Sequence, residues 1–180
     1  MKNIFLKTIS GTALAILMLT MLVHVRMSAQ EPATEEKTDV QTQEDSLARR
    51  ENTKKLEGSW NTLVTPRNCV TGVPMTTSPS MLTFMRGGTL QETGTRIAPS
   101  LRGPGHGIWS YDSRGQYTAT FQFFRFNADG TLAGRQIVIQ HTTLSPDGDS
   151  FTAVSTARIL DVNGNVIQNN CSTGVGTRFE

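Results

Sequence analysis

The sequence predicts an all-β domain, an antiparallel eight-stranded up-and-down barrel, and three observations predict it. After Leu56 charge thins, Thr, Phe, Val, Ile and Gly take over, and no 3.6-residue apolar period lasts beyond one turn. Short β-branched and aromatic runs are cut by hairpin-type connections at Gly87-Gly88, Ser113-Arg114-Gly115, Ala128-Asp129-Gly130, Pro146-Asp147-Gly148 and Asn163-Gly164. The only two cysteines, Cys69 and Cys171, lie just after the first run and within the last.

Cutting at those turns predicts strands over about 58–65, 80–86, 89–97, 107–112, 116–127, 131–144, 150–161 and 165–179. The connections at 66–79 and 98–106 are long and contain Pro. An open meander would leave two unpaired edges, which invite aggregation, and closure removes them. An even cysteine count in an exported protein favours a disulfide, which here would tie the first strand to the last.

The N-terminal region reads differently. Lys2 and Lys7 precede an uncharged apolar run over 9–23, and Ser28-Ala29 end it with small residues. The run is short for a membrane-spanning helix, which needs about 20 residues, and it fits an export signal spanning 1–29. An uncleaved membrane anchor is the alternative. Residues 30–55 form a polar linker, expected to be a disordered tether through Val40. From Glu44 to Leu56 acids come early and bases late, which suits either a short helix or a solvated coil. The domain proper is expected over 56–180.

Charge excludes some partners. The chain carries 17 basic and 15 acidic groups. Removing 1–29 removes Lys2, Lys7 and Arg26 and no acid, leaving 14 against 15. Neither balance suggests nucleic acid as a partner. No stable membrane insertion is expected once the signal is gone. The oligomeric state is not legible.

Gly58-Ser59-Trp60 opens the first strand, and Arg178 sits near the end of the last. This arrangement resembles the G-x-W signature of the lipocalins and related calycin barrels. In that family the Trp closes the base of the barrel and a C-terminal Arg packs over its ring. The middle of the chain lacks the family's T-D-Y motif, so the resemblance is to the broader calycin group. It implies a structural role for Trp60 and Arg178, beside Cys69 and Cys171. The Trp60–Arg178 and Cys69–Cys171 pairings would then differ in register by two residues.

Few residues suggest chemistry. His106 lies in a glycine-rich stretch expected to be a loop, and His141 lies late in the sixth strand. Asp129, Asp147, Asp149 and Asp161 fall at hairpin turns, where Asp bonds the backbone locally, and no calcium-loop pattern occurs. No G-x-S-x-G or phosphate-loop pattern is present. No cofactor or metal is implied. Trp109, Tyr111, Tyr117, Phe121 and Phe123 share strand faces that could line an apolar cavity, with His141 as a lumen contact. Equally, side chains can fill an eight-stranded interior. The inner face of the sixth strand is either Ile137, Ile139 and His141 or Gln136, Val138 and Gln140. Arg125 and Arg158 are candidate inward charges with Glu92 as partner, although exposure is the default for all three.

The expected function is an exported small-molecule-binding barrel taking a hydrophobic ligand without covalent chemistry. Two alternatives stand beside it. One is a barrel enzyme resembling allene-oxide cyclases or dirigent proteins, which steer a reactive intermediate by cavity shape, so the missing acid–base signature does not decide against it. The other is a structural or interaction barrel with a filled core.

Overall fold

A computed structural model describes residues 35–179. The expected export signal over 1–29 and the start of the expected tether fall outside these residues. The chain divides into two units, 1–38 and 39–180, and the barrel lies in the second. Helix α1 (Glu35–Leu56) is followed by β1 (Gly58–Arg67), β2 (Ser78–Met85), β3 (Thr89–Gly94), a 3-10 turn (Pro99–Leu101), β4 (Gly105–Ser113), β5 (Gln116–Phe126), β6 (Leu132–Leu144), β7 (Ser150–Leu160) and β8 (Val166–Arg178). The helix begins inside the stretch expected as disordered tether. The helix sequence, Glu35–Leu56, is rich in Glu, Gln and Lys and free of Gly and Pro, so local propensity favours it.

Each strand pairs antiparallel with the next, and β8 returns to β1, so the barrel is closed. Strict alternation produces the curvature of burial. In β7, Phe151, Ala153, Ser155, Ala157 and Ile159 are buried while Ser150, Thr152, Val154, Thr156 and Arg158 are exposed, and the alternation ends at buried Leu160, where the register shifts. In β5, Tyr117, Ala119, Phe121 and Phe123 point inward and Phe124 points out.

Turn chemistry explains the hairpins. Arg114 and Gly115 both have positive φ, 52° and 74°, as a tight two-residue connection requires. Asp129, Asp147 and Asp161 each accept backbone N–H bonds inside their own turns. Side-chain bonds from Thr131, Ser145 and Asn165, respectively, hold these carboxyls below the usual range. The aspartates are therefore turn residues, as expected.

The base is built by the residues that carry the calycin resemblance. Trp60 pairs with Arg178 across β1 and β8. The Arg178 guanidinium lies 4.3 Å from the Trp60 ring centroid, a contact worth roughly 0.5–2 kcal/mol. It also donates to the carbonyls of Lys55 and Glu57 at the end of α1, and to that of Gly148. Those helix-end carbonyls would otherwise lack partners. Trp60 Nε1 donates to the Leu56 carbonyl at 3.0 Å. Gly58 has φ of 121°, and a Cβ there would meet Arg178 Nη1 at 3.1 Å, so the motif's glycine makes room for the guanidinium.

Cys69 and Cys171 form the disulfide, with Cα atoms 5.2 Å apart. The ladder opposes Cys171 to Arg67, in the register of Trp60 and Arg178. Cys69 lies two residues beyond the end of β1, in a turn where Asn68 Oδ1 accepts from Val70 N and Thr71 N. That position off the ladder accounts for the difference in register.

Tyr117 links base and helix. Its hydroxyl donates to the Asn52 carbonyl at 2.5 Å. Burial first, and Tyr111 second, push its phenol up to about 12. A phenol raised above its unfolded value near 10 contributes stability that is intact below pH 10 and lost as pH rises toward 12. In an absorbance titration of tyrosinate, one of the chain's two tyrosines should ionise only near pH 12, and Tyr117→Phe should remove that step. A Tyr117 step near pH 10 in the folded protein would contradict the placement.

Candidate functional site

The lumen has two halves. Toward the base, Leu56, Trp60, Phe84, Leu90, Trp109 and Tyr117 form a filled core. Trp109 Nε1 donates to the carbonyls of Met85 and Thr89, and its ring packs edge-on against Phe84. Three of the residues expected to line a cavity, Trp109, Tyr111 and Tyr117, therefore belong to this plug. They sit at the end of the barrel where α1 and Trp60 close it, and none of them lines the cavity in the other half.

The other half is open. A cavity of about 360 Å³ lies between the strand walls and the long connections 68–77 and 95–104. Phe121 and Phe123 line it, as expected, together with Val64, Leu82, Val138 and Ile159. Polar groups interrupt this surface: Ser80, Gln136, Gln140 and Ser155. Gln140 Nε2 donates to Thr142 Oγ1, which holds the amide in place.

The inner face of β6 is therefore Gln136, Val138 and Gln140, and His141 is exposed on the outer wall. Its expected role as a lumen contact is corrected by strand parity. His141 Nδ1 is 3.0 Å from Thr118 Oγ1, and that hydroxyl donates to Asp112 Oδ2. The hydroxyl sits between the carboxylate and the imidazole, which is the wrong order for a histidine-activated nucleophile. His106 is likewise exposed, and it lies within β4 rather than in a loop. The alternating glycines around it have a packing reason. A Cβ on Gly107 would meet the Thr120 carbonyl and Phe121 Cα, and one on Gly105 would lie 2.8 Å from Glu92 Oε2.

The charges were the least legible part. Glu92 is buried, on the same face of β3 as Leu90. Its partner is Arg102, from the long β3–β4 connection, not Arg125 or Arg158. Arg102 Nη2 reaches Glu92 Oε2 at 2.5 Å, with both side chains under a tenth exposed. Ser80 Oγ donates to Glu92 Oε1 at 2.9 Å. The Arg102 guanidinium also lies 3.8 Å from the Phe123 ring centroid. Pairing of Arg102 with Arg125 in the backbone, and Gly103 N–H bonding the Phe124 carbonyl, fold this connection against β5. A Cβ on Gly94 would crowd the Glu92–Arg102 pair. Arg158 is exposed, as its default predicts. Arg125 is half-buried and lines the cavity.

One signal for Glu92 was present in the sequence, its shared parity with Leu90. The Gln136–Gln140 face was one of two readings of β6. Nothing local marked Arg102, because its role depends on a loop folding across three strands.

Comparison with models of protein families and with curated proteins found no match. Among the described residues no cluster of His, Cys, Asp or Glu is arranged to hold a metal ion.

Proposed function

We propose that the protein is an exported, calycin-like barrel that binds a small, largely hydrophobic molecule in the upper half of its lumen. The cavity carries this reading. At about 360 Å³ it lies within the range of small-molecule sites, near its small end. Its walls combine aromatic and aliphatic side chains with a few fixed polar groups, the usual composition of such sites. Export is supported by the signal-like pattern over 1–29 and by the disulfide, which forms and persists in oxidising compartments. Among the described residues no helix is long and apolar enough to cross a membrane. The G-x-W start and its Arg178 partner support the calycin assignment.

An inward carboxylate free to act would favour the alternative, a reaction-steering enzyme. Glu92 is the inward carboxylate, and both its oxygens are engaged by Arg102 and Ser80. Binding is therefore the favoured reading.

An uncharged environment-sensitive dye, N-phenyl-1-naphthylamine, should bind saturably at one site per barrel. Ala157→Phe, which fills the cavity from β7, should abolish that signal while the protein still melts cooperatively. A folded protein without saturable binding would overturn the carrier role.

A further inference from the structure

We infer that the bound molecule is an organic anion, a carboxylate or sulfonate on an apolar body, whose acid group is held by Arg125. The inference rests on the carrier reading and adds the charge of the ligand. Four guanidinium groups border the cavity, those of Arg67, Arg96, Arg102 and Arg125, against the single carboxylate of Glu92. The formal balance of the lining is therefore +3, although the whole chain is close to neutral at +2 over 180 residues. The positive charge is concentrated at this cavity and does not reflect a generally basic surface.

These cations are not equivalent. Arg102 is neutralised by Glu92. Arg67 donates to Thr173 Oγ1 and the Gly72 carbonyl, and Arg96 reaches the Thr76 carbonyl. The Arg125 side chain has no hydrogen-bond or ion-pair partner among the described residues, and the residue is half-buried and lines the cavity with Phe121 and Phe123. No side-chain nitrogen of Arg125 is buried without a partner, so the guanidinium remains accessible, and an anionic ligand would give it a charge-assisted partner. The nearby turn aspartates do not. Asp129 and Asp161 are committed to their own hairpins. The geometry thus offers a cationic head site above an aromatic floor, with Arg67 and Arg96 adding field at the rim.

The test compares two probes that differ by one group. These are 1-anilinonaphthalene-8-sulfonate and N-phenyl-1-naphthylamine, the same aromatic body without the sulfonate. Titrated into the purified protein, the sulfonate probe should bind at least about tenfold more tightly, as a charge-assisted contact implies. Each probe should displace the other, which places both in one cavity. Arg125→Met should remove about that factor for the sulfonate probe and leave the neutral probe within roughly twofold. Arg158→Met, on the outer wall, should change neither. Equal affinities on the unaltered protein would overturn the anionic preference while leaving the carrier role standing, and that comparison does not depend on any variant folding. An unchanged sulfonate affinity in folded Arg125→Met would overturn the assignment to Arg125. Absence of saturable binding by both probes would remove the carrier reading and this inference together.

Discussion

Arg102→Met is expected to cost about 3–5 kcal/mol of stability, the loss seen when one partner of a buried ion pair is removed. Both side chains of the Glu92–Arg102 pair are under a tenth exposed. Without the guanidinium, Glu92 would keep only the Ser80 hydroxyl as partner in a lumen lined by Phe121 and Phe123. An isolated carboxylate there is poorly solvated and would draw water inward. The loss should have a second component, because Arg102 anchors the long β3–β4 connection to Phe123 and to β5. Combining Arg102→Met with Glu92→Leu should recover much of the loss, since apolar replacement of a whole buried pair is often neutral or stabilising. Urea denaturation of the two single variants and the double variant measures this as a coupling energy. A loss below about 1 kcal/mol in Arg102→Met would be the value of an exposed pair, and it would contradict the placement of this loop.

The second large effect concerns the disulfide. Cys69 and Cys171 are 102 residues apart in sequence, and a cross-link closing a loop of that length is worth up to about 4.7 kcal/mol in the chain-entropy model. The double variant Cys69→Ala, Cys171→Ala should therefore lose about 2–5 kcal/mol, the usual range for a native bridge. The barrel should still close. Trp60–Arg178 and the whole β1–β8 ladder hold the same two strands independently. What loosens is the 68–77 connection at the cavity rim, which Cys69 ties to β8. The expected result is a lower midpoint in denaturant with unchanged far-ultraviolet dichroism, and faster amide exchange over 70–75. A denaturation midpoint equal to that of the unaltered protein would mean that the bridge does not form in the native protein.

Strand number and strand order were legible because they depend on local signals. Gly130, Gly148 and Gly164 each occupy a positive-φ turn position, and such positions can be recognised from a few neighbouring residues. Closure was legible for a different reason: Trp60, Arg178 and the two cysteines mark both ends of the domain, and an antiparallel pair relates them by register. The helix was underestimated because helix formers outside a core give no apolar period to read. Among the expected ligand contacts, Phe121 and Phe123 line the cavity, while Trp109, Tyr111 and Tyr117 pack the base and His141 faces solvent. Parity along a strand identifies a shared face. It does not say which face is inward, nor how high along the barrel axis the interior is filled.

The order of residues along the chain thus specified eight strands, their hairpins and their closure, since each follows from turn geometry, alternation or the placement of matched end residues. Folding in three dimensions decided where the interior is full and where it is empty. It also decided that Arg102 neutralises Glu92 and that the Arg125 side chain lines the cavity without a partner among the described residues. The physical reason is that charge pairing and cavity volume depend on side chains brought together from distant strands and a long loop, and no local pattern encodes those distances.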